Sequence, residues 1–154
     1  MCRELHRYIR ILQNRIQRER FCAGIRVFRE ICRLQVRKTA RFDENEYILL
    51  LTLKAGEYTG SKVSDVNLFR IRNAMPHLVE TLKKSLRPGD AVAQFSDSQY
   101  VILLSACTYE GGMLVANRII SKFYQDNKIY RNLKIKINIE KVKTTENILS
   151  KYTG

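Results

Sequence analysis

The sequence predicts an α+β fold. Its strands and helices follow each other along the chain in the order βαββαβ, with the helices packed on one face of the sheet, and an amphipathic helix precedes them. Three patterns support this prediction: a continuous apolar run at 47–53, two short strand patterns around a polar turn at 96–99, and strict alternation at 133–140. The 154 residues, 45% of them hydrophobic, suffice for one sizeable core. We therefore expect a domain over 21–154 joined to a connecting helix over 1–20.

The connecting helix is predicted from an apolar seam with spacings of four, three and four. Its members are Leu5, Ile9, Leu12 and Ile16. Such a seam needs a partner, which is the domain's own core, a second copy of the chain, or a preceding domain. We favour a partner-facing seam, as in a homodimer or an adjacent domain, because the remaining helix surface is rich in arginine.

A second helix is predicted to start at about Ile25, after a break at Gly24. One face is apolar. Another carries a cationic stripe at i, i+3, i+7 and i+11, formed by Arg26, Arg29, Arg33 and Arg37.

The rest of the chain supplies the βαββαβ core. The run 47–53 has the composition of a strand covered on both faces, and we place it at the sheet centre. A long helix follows over about 68–86, with a kink or break expected at Pro76. The turn at 87–90 leads into strands 92–95 and 100–104, and a helix from Met113 precedes the alternating strand at 133–139.

Charge is concentrated at the two ends of the chain. The net charge of +13 divides into +9 over residues 1–41, −2 over 42–117 and +6 over 118–154. A basic surface of this kind binds phosphate backbones, so the arginine stripe, helped by Lys134 and Lys136, is a candidate nucleic-acid contact. The stripe lacks interleaved aromatic or amide side chains that could read bases. Sequence-specific DNA contact is therefore expected only through other domains.

Composition also excludes several classes of site. Four cysteines without C-x-x-C spacing and two histidines do not indicate a disulfide framework or a metal centre, and we expect no metal and no cofactor. No apolar run of about 18 residues predicts a membrane span, so a cytoplasmic location and no membrane partner are expected. The sequence has no P-loop, G-x-S-x-G or H-E-x-x-H motif.

The stretch 86–104 resembles the signature region of GGDEF diguanylate cyclases. That family has an RxxD pair, a five-residue spacer, the GGDEF letters and an apolar strand. Here Arg87 and Asp90 keep the pair at that spacing, and the signature positions are Ser96, Asp97, Ser98, Gln99 and Tyr100. The resemblance covers roughly 22–142. More narrowly, 21–34 with the Arg87–Asp90 turn resembles the C-terminal region of bacterial regulators containing a transcriptional activator domain (BTAD).

The resemblance implies that the residues needed for cyclase chemistry are absent. Joining nucleoside triphosphates uses Mg²⁺ held by carboxylates. The family's carboxylate positions correspond to Thr52 and Lys54 on the first strand and to Ser98 and Gln99 in the hairpin. Asp97 lies one position away, where a solvated turn aspartate is the simpler interpretation. We therefore predict a degenerate domain with no catalytic residues.

Three functions remain open at this stage. The first is a non-catalytic interaction module of a bacterial signalling or transcriptional regulator. The second is cyclic di-GMP sensing at Arg87 and Asp90, which correspond by resemblance to the family's inhibitory site. The competing interpretation is a simple Pro-Gly turn whose amides are capped by Asp90. The third is nucleic-acid contact through the arginine stripe.

Overall fold

The computed structural model describes residues 22–42, 45–55 and 61–142. The strands over this part of the chain are β1 (Cys22–Ala23), β2 (Tyr47–Ala55), β3 (Ala91–Ser96), β4 (Gln99–Leu104) and β5 (Leu133–Lys141). The helices are α1 (Ile25–Phe42), α2 (Ser61–Ser85) and α3 (Tyr109–Asp126), with a 3-10 turn at Lys128–Tyr130. The N-terminal seam residues Leu5, Ile9, Leu12 and Ile16 lie outside the described residues.

The strands form one sheet in the order β1-β3-β4-β2-β5. β2 pairs antiparallel with both β4 and β5, and β3 and β4 form the antiparallel hairpin. The two-residue β1 runs parallel to β3. The α+β class and the βαββαβ order are thus confirmed, with β2 inside the sheet as its apolar run predicts.

The alternation of side chains along β2 divides the core into two layers. Leu49 and Leu51 face α2 and α3, which pack on one face of the sheet. Ile48 and Leu50 face α1, whose Phe28 is also fully buried. The expectation of helices on one face holds for the two helices of the βαββαβ core. α1, which precedes that core, covers the second face, because both faces of β2 are apolar.

α2 runs through Pro76 without a break, so that part of the predicted kink or break is wrong. A proline inside a helix removes one backbone N–H donor and frees a carbonyl one turn earlier. Around this turn, the Tyr100 hydroxyl donates to the Met75 carbonyl and the Tyr130 hydroxyl donates to the Asn73 carbonyl, each over 3.3 Å. Hydrogen bonds from the sheet and from the turn at 128–130 therefore support the helix where proline weakens it.

Within the described part of the chain, no helix is long and apolar enough to cross a membrane.

Candidate functional site

The hairpin between β3 and β4 lies directly beside the end of β2. Its turn is Asp97–Ser98, and the Ser98 carbonyl accepts the Leu53 N–H over 2.8 Å. In the β2–β4 ladder Thr52 stands opposite Gln99. A register shift between Gln94 and Ser96 reshapes the end of β3 next to the turn. Thr52 and Gln99, two of the positions at which the resemblance places the family's carboxylates, therefore lie side by side.

These side chains bond to one another. The Gln99 amide Nε2 donates to the Thr52 hydroxyl over 3.1 Å, and the Ser96 hydroxyl donates to Gln99 Oε1 over 2.9 Å. The Ser96 hydroxyl also accepts the Ser98 N–H over 3.3 Å. We call Ser96, Gln99 and Thr52 the neutral triad. Its amide and hydroxyl groups satisfy each other without any charge.

Asp97 is the carboxylate of this turn. Its side chain is 74% exposed, and Oδ2 lies 3.4 Å from a guanidinium nitrogen of Arg72 on α2. An exposed ion pair of this length contributes little to stability. Among the described residues there is no cluster of three histidine, cysteine, aspartate or glutamate side chains that could hold a metal ion.

Lysines surround the triad on the same face of the sheet. Lys136 stands opposite Thr52 in the β2–β5 ladder, and Lys54 stands opposite Lys134. All three lysines are exposed. Like charges directly opposite each other on a sheet are destabilising. The positive charge of the three lysines also repels a divalent cation from this face and attracts anions.

Arg87 and Asp90, which keep the RxxD spacing of the family, lie in a tightly hydrogen-bonded turn. Asp90 is buried, and its two carboxylate oxygens accept the Arg87 N–H over 3.0 Å and the Ser105 N–H over 3.2 Å. The Arg87 guanidinium donates to the Ser105 carbonyl over 2.7 Å and lies 3.8 Å from the Asp90 carboxylate. The turn thus fastens the start of β3 to the end of β4.

Burial raises the pKa of Asp90 above its ordinary value, while the amides of Arg87 and Ser105 and the guanidinium groups of Arg87 and Arg118 act in the opposite direction. Arg118 lies on α3 and donates to the Ser85 carbonyl at the end of α2 over 2.6 Å. Sequence reasoning missed Arg118 because nothing in a helical pattern shows which loop a surface arginine will reach.

The arginine stripe lies on the helix that covers the opposite face from α2 and α3. Arg26, Arg33 and Arg37 are exposed and Arg29 is half-buried. Arg33 forms an exposed ion pair with Glu30 over 2.6 Å. Lys134 and Lys136 occupy the α1 side of the sheet, so the two basic groups proposed from the sequence lie on one side of the domain.

Comparisons with known proteins identify the fold. The chain is similar to a DGC protein from Thermotoga maritima, with a TM-score of 0.62 and 14% identity over 86% of this chain and 90% of the other. It is also similar to a microbial GGDEF domain studied for its interaction with cyclic di-GMP, with a TM-score of 0.60 and 12% identity over 90% and 93% of the two chains.

A third similar structure is the diguanylate cyclase SiaD from Pseudomonas aeruginosa, solved in complex with its activator SiaC. The TM-score is 0.62 at 9% identity, and the match spans 99% of this chain but only 64% of SiaD. No protein-family model and no curated protein matches the sequence. The chain therefore has the fold of GGDEF domains. Sequence identities this low support a statement about the fold alone.

Proposed function

We propose that this domain is a non-catalytic regulatory and interaction module of a cytoplasmic bacterial signalling or transcriptional regulator, in which the GGDEF fold is kept and the cyclase chemistry is lost. The resemblance to BTAD-containing regulators supports a C-terminal position behind a DNA-binding domain. The first twenty residues would then be the connecting helix.

The observation that carries the proposal is the neutral triad. Magnesium requires hard anionic oxygens. Here the Gln99 amide and the Thr52 hydroxyl stand at two of the carboxylate positions that the resemblance implies, and both are engaged in hydrogen bonds within the triad. Lys136, which stands opposite Thr52, and Lys54, two residues further along β2, add positive charge on the same face of the sheet. Both differences disfavour a metal-bound triphosphate at this end of the sheet.

The test is an assay of the purified chain with GTP and Mg²⁺ or Mn²⁺, read by chromatography for cyclic di-GMP and linear intermediates. We expect no product above the protein-free blank. Turnover that is lost in Thr52→Ala or Gln99→Ala would overturn the proposal, whereas turnover that is unaffected by both changes indicates a contaminating cyclase.

The interaction role is tested at the N-terminal seam. Replacing Ile9 and Leu12 with lysine should abolish association if the seam binds a partner copy or domain, and Arg10→Lys is the matched control on the polar side. Unchanged association of the Ile9→Lys, Leu12→Lys variant would remove the seam from the proposal.

Cyclic di-GMP binding is the second candidate function, and the exposure of Arg87 favours it. Its side chain is 58% exposed, and Arg118 places a second guanidinium near the same turn. Guanidinium groups bind phosphate in bidentate fashion. The competing interpretation is a purely structural turn, because Asp90 is already engaged by two backbone amides.

Titration calorimetry separates these two interpretations. Binding of cyclic di-GMP that disappears in Arg87→Ala and survives in Arg131→Ala, an exposed arginine of a distant turn, would identify a receptor. The absence of heat in the parent chain would leave the structural turn. For the third candidate, nucleic-acid contact, a retardation series should show a steep loss of binding with salt that weakens in Arg26→Ala, Arg37→Ala.

A further inference from the structure

The sheet face on which α1 packs has an apolar part and a polar part. The apolar part lies under α1, where Ile48, Leu50, Val101 and Leu103 form a buried cluster with Phe28. Toward the hairpin turn the same face carries polar side chains: Thr52, Lys54, Gln99, Lys134 and Lys136. The three lysines are exposed, so α1 does not cover this end of the sheet.

We call Lys54, Lys134 and Lys136 the lysine cluster. Lys54 and Lys134 stand directly opposite each other in the β2–β5 ladder, so their Cβ atoms are about 5 Å apart. Lys136 lies two residues further along the same face of β5, about 7 Å from Lys134. Because each ammonium group sits on a flexible four-carbon stem, all three can converge on one point in front of the sheet.

The ion pairs formed among the described residues include none of these three lysines. The acid on the same face of β5 is Glu140, which is four residues, about 13 Å, from Lys136. The lysine cluster therefore concentrates three positive charges at one end of the sheet.

We propose that the lysine cluster binds an oligophosphate anion, inorganic or carried by a nucleoside, without a metal ion. Lys54 opposite Lys134 costs stability as long as no negative charge lies between them, and a bound anion turns that repulsion into two attractions. Lysine binds phosphate as a point charge, which suits cations on flexible stems. A chain of phosphates carries several negative charges in one compact group and meets all three ammonium groups at once.

A compact anion suits the lysine cluster better than an acidic peptide does. A peptide loses backbone freedom for every carboxylate that it places, whereas an oligophosphate brings its charges already joined. Beside the cluster, Thr52 stands opposite Lys136 and is bonded to Gln99, so the neutral triad adds no charge that would oppose the anion.

This site deepens the proposed regulatory role, because it names the class of ligand that the domain would sense, and it rests on that role only for its purpose. Binding is measured without turnover. Loss of binding would therefore overturn the site alone, whereas product from GTP would overturn the proposed function.

The test is an NMR titration of the full chain with inorganic tripolyphosphate in metal-free buffer at low salt. Three charge-assisted contacts, each worth about a factor of ten, predict a Kd of about 1 mM or tighter. The largest amide shift changes should fall at 52–55 and 133–137, not at the Arg87–Asp90 turn or on α1.

Each lysine of the cluster has the same expected effect when its charge is removed. Lys54→Gln, Lys134→Gln and Lys136→Gln should each weaken binding about tenfold. Lys141→Gln is the matched control, because Lys141 is exposed on the same strand but lies on its other face, and it should change the Kd by less than about twofold.

Stability separates binding from a structural role of the lysines. Lys54→Gln removes the like-charge pair with Lys134, so the urea midpoint of the free chain should rise while tripolyphosphate binding weakens. A variant that loses both stability and binding would show that the lysine acts through the fold, and would contradict the proposal.

Magnesium gives a second criterion. Mg²⁺ complexes an oligophosphate and neutralises part of its charge, so millimolar Mg²⁺ should weaken binding to the lysine cluster. A site that holds its phosphates through a metal would bind more tightly instead. Repeating the titration with GTP identifies the source: a Kd at least tenfold below that of tripolyphosphate indicates a nucleotide, and an equal Kd indicates the phosphate chain alone.

Three results would overturn the proposal. The first is a parent chain that binds neither tripolyphosphate nor GTP up to about 10 mM, ten times the Kd expected from the contacts. The second is binding that Mg²⁺ strengthens or that Lys141→Gln weakens as much as Lys54→Gln. The third is equal occupation of the cluster by a tetraglutamate peptide or a short DNA strand, which would assign this face to a macromolecule.

Discussion

Placing acidic groups at two positions of the neutral triad should give a domain that magnesium stabilises, whereas the parent chain is expected not to respond. The variant is Thr52→Asp, Gln99→Glu, which places two carboxylates at positions directly opposite in the β2–β4 ladder. The groups they replace are 3.1 Å apart at the Gln99 amide and the Thr52 hydroxyl. Two carboxylates in this geometry repel unless a cation lies between them.

The repulsion can be estimated from the geometry. Two unit charges about 4 Å apart near a protein surface interact by about 4 kcal/mol. Partial exposure and the neighbouring Lys54 and Lys136 screen roughly half of this, which leaves about 2 kcal/mol. For a domain of this size that corresponds to a fall of about 4–8 °C in Tm.

The assay is thermal unfolding with and without Mg²⁺. We expect millimolar Mg²⁺ to recover most of the loss in the double variant and to leave the parent chain unchanged. Thr52→Asn, Gln99→Glu is the matched control, with similar shape and one carboxylate fewer, and should respond much less. Stabilisation of the parent by Mg²⁺, or a double variant indifferent to it, would refute the idea that the triad stands in the place of a metal site.

Three further changes test the surroundings. Asp90→Ala should lower the free energy of unfolding by about 1–3 kcal/mol in urea denaturation, because two partly buried backbone amides lose their acceptor. Since burial raises the pKa of Asp90, the folded state binds this proton more readily than the unfolded chain. Stability from this group should therefore fall as pH rises from the ordinary pKa to the raised one, and Asp90→Asn should remove that slope; an unchanged slope would contradict the assignment. Thr108→Ala removes the N-cap of α3, a 3.0 Å bond to the Gly111 N–H, and should cost about 1 kcal/mol in the same assay. Burial raises the pKa of Cys32 to about 12, so mass spectrometry should find it protected from iodoacetamide in the folded protein and labelled in urea.

Much of the fold follows from period and turn chemistry. The apolar run at 47–53 predicts an interior strand because a strand buried on both faces cannot show alternation, and β2 has neighbours on both sides. The sequence does not show which helix packs on each face of the sheet. The apolar face of α1 is visible, but its position opposite α2 and α3 depends on the parity of Ile48 and Leu50 within the assembled sheet.

Pro76 does not break α2, for a related reason. Its local preference is overridden by contacts distant in sequence, since the tyrosines that bond α2 around this turn come from β4 and from the turn at 128–130. Tyr100 illustrates the limit well: by motif it is a signature residue, whereas in the structure its buried ring and hydroxyl support a helix. The candidate site is predictable in position but not in its internal hydrogen bonds.

The Arg87–Asp90 turn and the lysines around the triad therefore have different explanations. The Arg87–Asp90 turn is justified by structure alone, because it joins β3 to β4 through backbone amides whether or not a ligand binds. The lysines around the triad have no such explanation, since Lys54 opposite Lys134 costs stability on an exposed sheet. Lys54 and Lys134 therefore make this face of the sheet cationic at a cost in stability.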